Sequence, residues 1–307
     1  MQKIILGFVL FLLGITVYSI IDIITTPSRR SEPAVSRVET APAKAEKPPR
    51  KKVQSVAEKK KEFIETLLPV VRKVKAELDA QYEKALRLSR AEHLTPEQRQ
   101  WLDDKMKAYN VKGIPCLLKR MHTHPVSLVI AQAALETGWG KSRFYKEAKN
   151  VFGIWSYHTD EPRMAASKMR GEKTIYVKKF DSLEAAIRGY FKMIADGYAY
   201  AGFRDARART DNPFELLGHL RNYSELRDEY VARLYYVIKA NRLYRYDEPS
   251  YPPVALSRIV PQYVAAKRKE ALERKLASEQ EEALNEVRLE RSAEDLNATD
   301  CNDSAPA

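Results

Sequence analysis

The sequence predicts a mainly α-helical protein, on three observations. Residues 125–135 are apolar on every side of a helical wheel (Val126, Leu128, Val129, Ile130, Ala131, Ala133, Ala134, Leu135), as in a helix that runs through a domain core. Ile64, Leu67, Val71, Val74 and Leu78 recur at helical spacing in a segment that is otherwise charged. Against these, a single stretch, residues 174–180 (TIYVKKF), is β-branched and aromatic enough for a strand, which fits a small hairpin.

The chain begins with residues 4–24, almost continuously apolar and long enough for one bilayer crossing. A cleavable signal peptide is the alternative, but the apolar run is long and no A-x-A-like site follows, which favours an uncleaved anchor over residues 1–25. Flanking charge disagrees with an exported domain: Arg29, Arg30 and Arg37 outnumber Lys3, and by the positive-inside rule the following part would stay in the cytoplasm. Residues 26–52, rich in Pro, Ala and charge, form a tether.

A helical extension over residues 53–112 comes next. In it Thr95, Pro96 and Gln98 supply a cap, a first-turn proline and a capping-box partner for a helix carrying Trp101 and Met106. In the domain of residues 113–248, Pro125 fits the first position of the apolar helix, with Thr123 or His124 as its cap, and Gly138 and Gly140 end it. Residues 157–171 form a polar loop before the strand. Asp181 and Glu184 make a capping box for a helix burying Leu183, Ala186, Ile187, Tyr190, Phe191 and Ile194. Asp211 or Asn212 caps another helix at Pro213, and Ser224 caps a last one over residues 225–243 that buries Tyr230, Leu234 and Ile238. Pro249, Pro252 and Pro253 close the domain, and residues 249–307 form an exposed charged helix and a disordered tail.

A net charge of +12 and a pI near 9.4 suggest an anionic partner. No zinc finger, phosphate-binding glycine loop or aromatic-basic signature is present, so nucleic acid is not expected as a partner. His122, His124 and His158 lack a ligand spacing and read as loop histidines, so no metal and no cofactor is expected. Cys116 and Cys301 are not placed to staple the core.

The chemistry centres on Glu136, on the last turn of the apolar helix. Desolvation and the negative end of the helix dipole both favour its neutral form, which makes it a candidate general acid. Gln132 lies one turn earlier on the same face and can orient it. The competing reading is a solvated glutamate or one paired with Lys141 or Arg143.

The run A-x-x-E-T-G-W-G-x-S-x-F (Ala133, Glu136, Thr137, Gly138, Trp139, Gly140, Ser142, Phe144), followed by N-x-F-G-I-W (Asn150, Phe152, Gly153, Ile154, Trp155), resembles the peptidoglycan N-acetylglucosaminidases of glycoside hydrolase family 73, most closely their Bax-like branch. The resemblance covers roughly residues 63–243. It implies a lysozyme-like helical domain that cleaves bacterial cell-wall glycan, with Glu136 as general acid and Tyr223 in the position of a tyrosine that faces it. Peptidoglycan strands are then the partner, and the domain belongs in the periplasm, tethered to the inner membrane.

Trp139, Phe152, Trp155 and Tyr157 are candidate sugar platforms and Asn150 a candidate ligand of the acetamido group; aromatic core packing is the alternative for each ring, and the better one at Phe152. A second carboxylate is sought among Asp160, Glu161 and Glu172, none in the usual family context. A water-activating base and help from the substrate's own acetamido group therefore both stay open. A lytic transglycosylase and a non-catalytic wall-binding protein are the rival functions.

Overall fold

The computed structural model describes residues 54–166 and 174–299, which divide into two compact units at Pro253 and Val254. The expected anchor and tether, Glu172 and Cys301 lie outside these residues. Among the described residues no helix is long and apolar enough to cross a membrane.

The first unit is mainly helical with one small hairpin. Helix α1 (Val56–Ser89) opens with a capping box between Ser55 and Glu58, and α2 (Pro96–Ala108) with the one expected between Thr95 and Gln98. Helix α3 (Ile114–Met121) follows. The C-terminal part of α1 joins α2 and α3 in a small satellite core of Ala85, Leu102, Leu117 and Met121. The rest of α1 turns Phe63, Ile64, Leu67, Val71 and Val74 inward, against α4 (Val126–Thr137), and so completes the main core.

Helix α4 is the axis of the domain. Leu128, Val129, Ile130, Ala131 and Ala133 are fully enclosed, because α1 and the later helix α9 pack on it from different sides. Its start differs from expectation: Pro125 is itself the cap position, and neither Thr123 nor His124 caps. Asp247, far along the chain, accepts the Ser127 N–H at 2.8 Å instead, a tertiary cap that no local pattern announces.

After α4 come α5 (Arg143–Ala148), capped by Ser142, and the antiparallel strands β1 (Arg163–Ala165) and β2 (Tyr176–Lys178). β2 lies within the expected strand, whereas β1 falls in the stretch expected to be a loop; Arg163, Met164 and Ala165 carry no β-branched residue, and pairing with β2 alone makes them a strand. Helix α6 (Leu183–Asp196) buries the expected apolar face, with Leu183 only partly covered, but its cap is Ser182 rather than an Asp181–Glu184 box. Helix α7 (Ala201–Arg207) leads to α8 (Pro213–Leu216), capped by Asn212 and continued as a 3-10 turn to Tyr223. Helix α9 (Asp228–Ala240) starts three residues later than expected: Ser224 accepts the Leu226 N–H within a turn, and Arg227 at φ +48° breaks the backbone before the helix.

The second unit consists of α10 (Leu256–Ile259) and α11 (Pro261–Thr299). Pairs such as Lys267–Glu270, Arg274–Glu270 and Lys275–Glu279 lace the exposed surface of α11.

Candidate active site

The last turn of α4 explains why the motif reads E-T-G-W-G. The helix closes with Trp139 N–H on the Ala134 carbonyl (2.9 Å) and Gly138 N–H on that of Leu135 (3.4 Å), a Schellman closure that needs the left-handed backbone found at Gly138, φ +56°. Thr137 locks the turn from inside, donating to the Ala133 carbonyl at 2.6 Å and accepting from Gly140 N–H at 2.9 Å. Gly140 has φ +79°, and a Cβ there would stand 3.1 Å from the Phe63 ring and 3.2 Å from that of Tyr145. Trp139, between them, holds the same left-handed conformation without a glycine's freedom, at φ +60°. The turn stops the helix one residue after Glu136 and leaves its carboxyl at the edge of the core.

Glu136 is half-buried, and the hydroxyl of Tyr230, on α9, donates to its Oε1 at 3.2 Å. Burial pushes the Glu136 carboxyl up to about 8, while the hydrogen bond from Tyr230 pulls the other way. Desolvation wins, and the group is neutral at pH 7. The ion-paired alternative is not what is found: Arg143 pairs with Glu147 and donates to the Ala165 carbonyl, and among the described residues Glu136 forms no ion pair.

The other expected site residues are distributed as follows. Gln132 is fully buried and donates to the Tyr230 hydroxyl at 3.1 Å, so it reaches Glu136 through that tyrosine. Tyr223 stacks on Tyr230 with ring centroids 5.4 Å apart and planes within 6°, and its own hydroxyl donates to the Phe152 carbonyl at 3.4 Å. Phe152 is a core ring, stacked on Tyr190 at 4.0 Å.

Asn150 is buried with its amide turned inward, accepting from Ile154 N–H and donating to the carbonyls of Ile154 and Lys178, all at 2.8–2.9 Å. Those bonds fasten the N-x-F-G-I-W loop to β2, which leaves the amide no free donor for an acetamido group. In the same loop Trp155 bridges to Val177 and lies 6.1 Å from the ring of Tyr157, whose side is open to solvent. Trp139 is set edge-on to Phe63 at 5.8 Å with Lys60 over its face, in a groove between α1 and α5.

Of the sought carboxylates, Asp160 is exposed and Glu161 is bound to Lys178 at 2.8 Å. Burial raises Glu161, but the Lys178 and Ser156 contacts outweigh it and hold the carboxyl below its usual value, unsuited to proton donation. A concavity lined by Arg72, Lys75, Asp79 and Asp247 sits by Pro125, at the opposite end of α4 from Glu136.

A neutral carboxyl at the end of a helix through the core, bonded to a tyrosine hydroxyl, fits a domain of the glycoside hydrolase class. Residues 116–247 match the family described as Glucosaminidase (Mannosyl-glycoprotein endo-beta-N-acetylglucosaminidase), the segment that holds the motifs around Glu136. The chain is 28% identical to Protein bax of Escherichia coli (strain K12) over 170 residues, which make up 53% of this chain and 60% of that relative's length. Among solved structures it is similar to a glycoside hydrolase domain of FlgJ from Salmonella typhimurium (20% identity, 45% of this chain and 96% of that one, TM-score 0.33). It is also similar to a peptidoglycan hydrolase from Sphingomonas sp. A1 (25% identity, 46% and 92%, TM-score 0.34).

Proposed function

We propose that this protein is a membrane-anchored cell-wall hydrolase that adds water across the β-1,4 bond following N-acetylglucosamine in peptidoglycan, with Glu136 as general acid. The observation that carries this reading is the Glu136 carboxyl, held neutral by burial and bonded to Tyr230 at the end of α4. A neutral carboxyl can give its proton to the glycosidic oxygen as the C–O bond breaks, and the carboxylate left behind accepts the Tyr230 hydrogen bond; water supplies the hydroxyl of the new reducing end and the proton that restores the neutral enzyme. Trp155 and Tyr157 offer apolar ring faces for a pyranose beside it. The motif pair E-T-G-W-G and N-x-F-G-I-W, together with the family of residues 116–247, supports glucosaminidase over transglycosylase chemistry.

Digestion of purified peptidoglycan should yield fragments ending in reducing N-acetylglucosamine, seen as a two-unit mass gain on borohydride reduction. Non-reducible anhydro-muramic ends would assign a transglycosylase and spare Glu136 as the acid. The absence of any product would leave a wall-binding protein.

The anchor is inferred from the apolar run of residues 4–24, and the periplasmic side from the substrate. Protease added to spheroplasts should then digest the domain. Survival until the inner membrane is broken would put it in the cytoplasm, as the flanking arginines suggest, and the wall substrate would have to be abandoned.

A further inference from the structure

Behind Glu136 a chain of hydrogen bonds crosses the core from α7 to α4. Arg207 Nη1 lies 3.2 Å from His124 Nδ1, and His124 Nε2 lies 2.8 Å from the Tyr190 hydroxyl. That hydroxyl meets Gln132 Oε1, Gln132 Nε2 meets the Tyr230 hydroxyl, and Tyr230 meets Glu136 Oε1. Arg207, His124, Tyr190, Gln132 and Tyr230 are each at most 2% exposed, so water offers none of them an alternative partner.

Taken singly, the middle links have no fixed sense. A hydroxyl donates or accepts, a neutral imidazole carries its proton on either nitrogen, and an amide can turn over. A guanidinium has donors only. Burial lowers Arg207 to about 9, which still leaves it a cation at neutral pH, and it is held by the carbonyls of Lys119 and Arg120 at the C-terminal end of α3. His124 Nδ1 must therefore accept, and its one proton sits on Nε2; burial, with Arg207, Lys75 and His122 nearby, keeps the ring neutral. Tyr190 then accepts from His124 and donates to Gln132 Oε1, the Gln132 amide donates to Tyr230, and Tyr230 donates to Glu136. Reversing any link sets two donors face to face.

We propose that Arg207, by fixing the sense of this chain, holds Tyr230 as a donor to Oε1 of Glu136 and so confines the transferable proton to Oε2. Arg207, His124, Tyr190 and Gln132 are then positioning residues for the acid, an assignment that rests on Glu136 being the acid. The other groups whose charge would act on Glu136, the hydroxyls of Tyr190, Tyr200 and Tyr223, are uncharged at neutral pH because burial raises all three.

The test is the Glu136 carboxyl titration, followed by 13C NMR of protein labelled at the glutamate carboxyl and assigned against Glu136→Gln, with kcat and KM on peptidoglycan measured alongside. Tyr190→Phe cuts the chain at its middle and keeps the ring stacked on Phe152. Arg207→Met removes the fixed donor, and Arg207→Lys restores a group that can only donate. A donated hydrogen bond favours the ionised carboxyl, so Tyr190→Phe and Arg207→Met should raise the Glu136 midpoint, with kcat about tenfold lower and KM little changed. Arg207→Lys should fall nearer the wild type. A wild-type midpoint in Tyr190→Phe overturns the proposal whatever happens to kcat, because packing alone would cost stability and leave the titration in place. If Arg207→Met does not fold, Tyr190→Phe decides. If the wild-type protein cleaves no peptidoglycan, the hydrolase reading fails and the titration still decides the chain.

Discussion

Glu136→Gln should lower peptidoglycan cleavage by roughly 10²- to 10⁴-fold, the range that general acid catalysis contributes. The amide keeps the size of the carboxyl, and its oxygen can still accept the Tyr230 hydrogen bond found at 3.2 Å, so neither the end of α4 nor the tyrosine beside it has cause to move. What disappears is the proton. A glycosidic oxygen is a poor leaving group until it is protonated, and among the described carboxylates the neighbouring alternatives are unfit to replace the acid: Glu161 is ion-paired with Lys178 and Asp160 is exposed. Binding of glycan to the variant should persist, since the rings of Trp155 and Tyr157 are untouched. Turnover above about a tenth of wild type would show that another group supplies the proton.

Much of the scaffold around this residue is legible in the sequence. Helix α4 is readable because it is apolar all round and stopped by Gly138, and α2 because Thr95 and Gln98 form a local box. Asn212 is readable as a cap for the same reason of proximity. What escapes is set by residues distant in the chain. The cap of α4 is Asp247, 120 positions away from the Ser127 it serves. Strand β1 exists through β2 alone.

At the site the same division holds. Glu136 and Gln132 are one turn apart on a helix, and the motif singles out Glu136 as the candidate acid. Tyr230, by contrast, reads only as one more buried residue of α9, and its hydroxyl finds Glu136 because α9 packs against α4. The stacked neighbour Tyr223 carries the family resemblance, and its hydroxyl donates to the Phe152 carbonyl. His124 looks like a loop histidine and does lie between helices, but it is fully enclosed and bonded on both ring nitrogens. A signal for it existed: buried tyrosines and a buried arginine at helical positions of α6, α7 and α9 require partners, and His124 is a polar residue next to the most apolar helix of the chain.

The neutral state of Glu136 can be read without any substrate, from the dependence of stability on pH. A carboxyl whose pKa rises from 4.5 in the unfolded chain to about 8 in the folded one binds its proton more tightly when folded. Its contribution to stability is therefore fully present below pH 4.5, is lost as pH rises toward 8, and stays lost above that. At about 1.4 kcal/mol per pH unit, the cost to the wild type is on the order of 5 kcal/mol at alkaline pH. Glutamine has no proton to lose and escapes it. Denaturant unfolding of wild type and Glu136→Gln, compared from pH 4.5 to 9, should give nearly equal stabilities at the acid end and a growing advantage for the glutamine variant, levelling off near pH 8. A difference that does not change across that range would mean that Glu136 is ionised in the folded protein and cannot be the acid.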